Sequence, residues 1–175
     1  MTKTIFLVIL LNVISFTYFP LSYSASEQIE TTCKQTPFFD LCVSTLQADP
    51  RSSSADVAGL AHIAADSVNA KATATLNQIT GLLKSAGDPN LLKALQGCVH
   101  KYNTIIQADI PVAIKAKAIV KGDPKFAVDS STDAANEAQY CENSFANPPS
   151  SPITDSNKAV HDLSTMLESI ASLLL

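Results

Sequence analysis

Residues 57–83 read VAGLAHIAADSVNAKATATLNQITGLL, and their periodicity decides the fold class. Val57, Ala61, Ala64, Val68, Ala72, Leu76, Ile79 and Leu82 recur at steps of three or four, which puts them on one stripe of a long helix. Three of the eight are alanine, so neighbouring helices can approach closely. Upstream, Asp49-Pro50-Arg51-Ser52-Ser53-Ser54 interrupts the chain. Ser53, with Asp56 three positions on, fits a capping box at the helix start. Downstream, Gly87 closes the helix and Asp88-Pro89 restarts the chain, with aspartate as N-cap and proline at the first helical position.

The same reading extends to the C-terminus. A second helix carries Leu91, Leu95, Cys98, Tyr102, Ile105, Val112, Ile114 and Ile119. Pro111 falls inside it, where the missing N–H and the ring predict a kink. Gly122 stops this helix, Asp123-Pro124-Lys125-Phe126 opens another, and Ala134, Ala138, Cys141 and Phe145 continue its inner face. After the loop Asn147-Pro148-Pro149-Ser150, Ser151-Pro152 repeats the cap-then-proline start. Val160, Leu163, Leu167, Ile170 and Leu174 form the last stripe. Four amphipathic helices with short connections predict an up-down-up-down bundle.

The N-terminal residues predict export. Lys3 precedes a largely apolar run from Ile5 to Phe19, and Ser22 and Ser24 sit where signal peptidase reads small residues. The run is shorter than the ~20 residues a bilayer span needs. Residues 1–24 are therefore expected to be a secretory signal peptide, residues 25–52 an N-terminal helical hairpin, and residues 53–175 the four-helix bundle. Four cysteines in an exported chain predict two disulfides. Three pairings are possible. The layout favours Cys33–Cys42, which closes a short hairpin, and Cys98–Cys141, which joins the inner faces of adjacent helices. No Asn-x-Ser/Thr acceptor is present.

Charge and motifs exclude more than they suggest. A net charge of −4 gives no basic stripe for nucleic acid and no polybasic patch for an anionic membrane. His62, His100 and His161 fall on different predicted helices, without metal-ligand spacing. No zinc motif, calcium loop, nucleophile elbow, Walker loop or dinucleotide fingerprint occurs. With all cysteines bridged, no thiol nucleophile remains. The chain is expected to be no enzyme and to need no cofactor or metal.

Several short stretches carry a family resemblance. They are Thr31-Thr32-Cys33-Lys34-Gln35-Thr36-Pro37, Leu41-Cys42, Asp49-Pro50-Arg51-Ser52, Cys98 with Tyr102, Gly122-Asp123-Pro124-Lys125-Phe126-Ala127, and Glu137-Ala138 with Tyr140-Cys141-Glu142. Through them the chain resembles the plant invertase and pectin methylesterase inhibitors over its whole mature length. The resemblance implies an N-terminal helical hairpin on a four-helix bundle. It also implies disulfides joining first to second and third to fourth cysteine, in agreement with the layout.

Within that family, the triplet Pro124, Lys125 and Phe126 resembles the invertase-inhibiting branch. There it occupies the loop between the second and third bundle helices and enters the sucrose-binding cleft of the target. The branch directed at pectin methylesterase usually lacks it. The implied function is competitive inhibition of a cell-wall or vacuolar acid invertase, with association favoured on the acid side. Inhibition of pectin methylesterase is the alternative. A structural or small-ligand-binding bundle is the alternative of another class. Read without the family, Gly122-Asp123-Pro124-Lys125-Phe126 is a helix stop followed by a helix start.

Overall fold

The N-terminal hairpin is built around one disulfide. In the computed structural model, which describes residues 25–115, 123–145 and 150–175, helix α1 covers residues 25–33 and α2 covers Phe39–Gln47. Cys33 at the end of α1 is bonded to Cys42 in α2, with Cα atoms 5.5 Å apart and both residues fully buried. The intervening turn is fixed by the Thr36 hydroxyl, which donates to the Cys33 carbonyl at 2.9 Å.

A single 3-10 turn, Pro50–Ser54, leads from the hairpin into the bundle. The Asp49 side chain accepts from the Arg51 N–H, and the Arg51 guanidinium bridges Asp49 and Asp66 at 2.6 and 2.7 Å. Helix α3, Val57–Leu83, follows. Its start differs from the expected capping box: Asp56 is itself the N-cap, accepting from the Gly59 N–H at 2.8 Å. Ser53 belongs to the preceding turn, where its hydroxyl donates to the Pro50 carbonyl. The buried face is also wider than the stripe read from sequence, since Leu60, Ile63, Ala65 and Thr75 join it. The reason is position. α3 packs against α2, α4 and α7 together, so more than one line of side chains is covered.

Helix α4, Pro89–Thr104, begins as expected, with Asp88 accepting from the Leu91 N–H at 2.8 Å and Pro89 in the first turn. α3 itself ends at Leu83, before Gly87. Past Thr104 the helix is neither broken nor sharply interrupted. It widens into a π-helical turn, Ile105–Asp109, and continues as α5, Ile110–Lys115. The Ile110 N–H reaches back five residues to the Ile105 carbonyl. A wider turn relieves the crowding that Pro111 imposes on the carbonyl four positions before it.

Helix α6, Lys125–Asn143, and helix α7, Thr154–Ser172, complete the bundle. α7 starts two residues later than Ser151-Pro152 suggests. The Ser151 hydroxyl accepts from the Ile153 N–H, and Pro152 lies in the turn before the helix. Each bundle helix contacts two neighbours in a ring, α3 with α4, α4 with α6, α6 with α7 and α7 with α3, the up-down-up-down arrangement expected. Among the described residues there is no strand. The expected signal peptide, the stop at Gly122 and the Asn147-Pro148-Pro149 loop lie outside the described residues.

Two features tie α4 to its partners. Cys98 and Cys141 form the second disulfide, with Cα atoms 4.7 Å apart and both residues fully buried. One turn along α4, the buried Tyr102 hydroxyl donates to Asn157 of α7 at 2.7 Å. Asn157 in turn donates to Glu142 of α6 at 2.6 Å, and Thr154 donates to the other oxygen of that carboxylate. Burial works against ionisation of Glu142, but the donors Thr154, Asn157 and Ser151 outweigh it and hold its carboxyl below the usual range.

Candidate functional site

The segment singled out by sequence is the first turn of α6. Asp123 accepts from the Lys125 N–H at 3.0 Å through its side chain and from the Phe126 N–H at 3.1 Å through its carbonyl. The Pro124 carbonyl accepts from Ala127 and Val128. The donors left over at a helix start are thus satisfied within six residues. Pro124 closes the entry with φ −55° and ψ −20°, a conformation its ring favours. The serine hydroxyls of the next turn secure the carbonyls, Ser130 donating to Phe126 and Ser131 to Ala127.

This frame divides the side chains sharply. Ala127 is fully buried and anchors the turn in the core. Phe126, one position earlier, keeps 58% of its surface exposed. The Lys125 side chain is 64% exposed, and its ammonium contacts both oxygens of Asp129 at 3.0 and 2.9 Å. The structure therefore places an exposed cation and an exposed aromatic ring on one helical turn, with proline restricting its backbone. Neither is explained by the fold. Water-facing phenylalanine contributes no core packing, and a lysine at a helix N-terminus opposes the helix dipole.

Sequence reasoning missed a second feature, on the side of α6 facing α4 and α5. Asp109, in the π turn, is 9% exposed, and its Oδ2 atom has no hydrogen-bond partner among the described residues. Burial pushes its carboxyl up to about 6, and the nearby carboxylates of Asp133 and Glu137 push in the same direction. Glu137 has its own counterion, Lys101, at 3.0 Å. That lysine also lies 5.2 Å from the centre of the half-exposed Tyr140 ring. The i, i+4 spacing of Asp133 and Glu137 is visible in the sequence. Their meeting with Asp109 depends on packing between distant segments.

Elsewhere the described residues hold little chemistry. Among the described residues no group of three or more His, Cys, Asp and Glu side chains could hold a metal. His62, His100 and His161 stand on α3, α4 and α7, and His161 lies 3.1 Å from Asp162 beside it. A hollow of about 190 Å³ lies between α6 and α7, lined by Glu142, Asn157, Lys158 and His161 among others, and a larger one of about 440 Å³ is lined by Asn90, Lys93, Ala94, Gly97 and Ser144. No helix among the described residues is long and apolar enough to cross a membrane.

Comparison with known proteins gives a consistent result. The family described as plant invertase/pectin methylesterase inhibitor matches residues 27–174. Cell wall / vacuolar inhibitor of fructosidase 1 of Arabidopsis thaliana is 48% identical over 142 residues, which cover 81% of this chain and 66% of the relative. The chain thus spans a little under two thirds of that relative's length. The pectinesterase inhibitor of Actinidia deliciosa is 29% identical over 147 residues, 84% of this chain and 75% of that one. Among solved structures, a mutant form of a pectin methylesterase inhibitor from Arabidopsis superimposes with a TM-score of 0.71 at 22% identity, covering 83% of this chain and 96% of that one. At that identity the match speaks for the fold alone.

Proposed function

Because the chain belongs to the plant invertase/pectin methylesterase inhibitor family, we propose that it inhibits a plant acid invertase by filling the sucrose cleft with Pro124, Lys125 and Phe126. The observation that carries this reading is the first turn of α6, where an exposed lysine and an exposed phenylalanine stand together on a frame that needs neither. The likeness to an inhibitor of fructosidase supports the choice of target.

The physical mechanism follows from the target's chemistry. A retaining glycosidase carries two carboxyl groups ~5–5.5 Å apart. The Lys125 ammonium complements that pair, and loss of water on closure strengthens the contact. Phe126 fills apolar space beside it. Pro124 and the bonded turn reduce the ordering cost of association. The triplet contains no glycosidic bond, so an occupied cleft is a blocked one and inhibition is competitive with sucrose. Stable complexes bury ~1,200–2,000 Å² in total, so the flanking helix surfaces contribute as well. Residues 1–24 direct the chain into the secretory pathway, towards the cell wall or vacuole, whose acidity favours association.

The test is a paired assay at acidic pH, with residues 25–175 in the oxidised form titrated against an acid invertase and a pectin methylesterase. Invertase inhibition relieved by high sucrose is the expected result. Inhibition of the esterase alone would overturn the reading and leave Asp123-Pro124-Lys125-Phe126 as an ordinary helix start. That second reading is favoured by the resemblance to the Actinidia inhibitor.

A further inference from the structure

Lys125 is already engaged before any target arrives. Its ammonium lies 3.0 and 2.9 Å from the two oxygens of Asp129, one turn further along the outer face of α6. Both side chains are more than half exposed, so the fold does not require the pair. The pairing is also poorly placed for the helix. A cation at the N-terminus faces the positive end of the dipole, and lysine preceding its acid at i, i+4 is the weaker order. Exposed pairs of this kind shift an equilibrium by about fivefold at most. The contact is strong enough to bias the lysine and weak enough to exchange.

We propose that Asp129 is a negative determinant of affinity and target choice, competing with the target's own carboxylates for Lys125. This inference rests on the cleft-filling reading above. If Lys125 turns into a cleft lined by carboxylates, Asp129 must release it. If instead Asp129 keeps the lysine, the ammonium is lost to the cleft. Either course makes Asp129 subtract from binding. The penalty is smallest for a target whose acids lie close enough together to hold the ammonium better than one exposed aspartate does, so Asp129 discriminates against weakly acidic surfaces.

Inhibition constants for Asp129→Asn, Lys125→Ala and the double variant, measured at one acidic pH and low salt, test this. Asp129→Asn should inhibit invertase about three- to fivefold more tightly than the parent, while Asp129→Glu, which can keep the pair, should resemble the parent. In the Lys125→Ala background Asp129→Asn should bring no gain. An unchanged or weaker inhibition by Asp129→Asn, with Lys125→Ala still damaging, would overturn the competition and leave the cleft-filling reading standing. The same gain with and without Lys125 would make Asp129 a source of general repulsion and equally overturn it. Full inhibition by Lys125→Ala would instead remove the cleft-filling reading itself.

Discussion

Gly-Asp-Pro occurs twice in this chain, at 87–89 and at 122–124, and each copy precedes a bundle helix. At the first, Asp88 reaches three residues ahead to the Leu91 N–H, and Leu91 packs partly against the core. Every residue there serves the helix. At the second, Asp123 reaches only to Lys125, and the side chains of Lys125 and Phe126 point to solvent. A cation replaces the neutral or acidic residue that the dipole favours. A phenylalanine stands exposed where the first copy turns a leucine inwards. The same local grammar thus yields a helix start in one place and, in our reading, a presented ligand in the other. On that reading, the departures from good helix design mark the copy that presents the ligand.

This contrast can be broken experimentally, and the largest effect should come from the side chains themselves. Replacing both Lys125 and Phe126 with alanine should raise the inhibition constant by about 100-fold or more, as for truncated interface hot spots. Thermal unfolding should shift by no more than about 2 °C, because neither residue is buried. A large loss of thermal stability in that variant would show that the turn is structural after all.

A second test uses the far end of the run that begins at Asp88, where Asp109 lies buried against α6. Its carboxyl is raised to about 6 from the ordinary 3.8. The folded state therefore holds the proton more tightly than the unfolded chain does. The resulting stability is fully present below the ordinary value and is lost as pH rises through about 6. Unfolding midpoints should fall between pH 4.5 and 7, with up to about 2 kcal/mol lost at neutrality. Asp109→Asn should flatten that slope. A variant retaining the parent's full pH dependence would place its origin elsewhere.

The smallest effect sharpens the comparison of the two aspartates, of which Asp88 is an N-cap and Asp123 precedes the N-cap Pro124. Asp88→Ala should cost about 1 kcal/mol, or roughly 2–4 °C in a domain of this size, and leave inhibition unchanged. Asp123→Ala should cost about 0.5 kcal/mol yet weaken inhibition, since it loosens the turn that carries Lys125. Equal inhibition by the two variants would erase the distinction between the copies.

Much of this was legible beforehand, for reasons that differ by element. The α3 stripe could be read because burial on one side imposes a period, and Val68, Ala72 and Ile79 are fully buried where the period puts them. Asp88-Pro89 could be read because a cap acts within three residues. Pro111 announced a disturbance, but its form, a π turn starting six residues earlier, depends on how α4 and α5 seat on α6. Asp56 displaced Ser53 as cap because Pro50 had already drawn the serine into a turn of its own. The exposed pair Lys125 and Phe126 was legible only through resemblance, since local rules see a helix start there. The Asp129 contact follows the i, i+4 rule and was available from spacing. The burial of Asp109 was not, because its surroundings come from residues more than twenty positions away.

The bridge between Cys98 and Cys141 has a consequence beyond holding two helices together. Its partners are 43 positions apart, and Pro124, Lys125 and Phe126 lie between them. The proposed contact turn is therefore carried on a covalently closed ring. Hydrolysis of any one peptide bond in that ring opens it without releasing a fragment, because both cut ends remain joined through the sulfurs. A chain cut once beside the proposed contact turn would therefore still be one molecule.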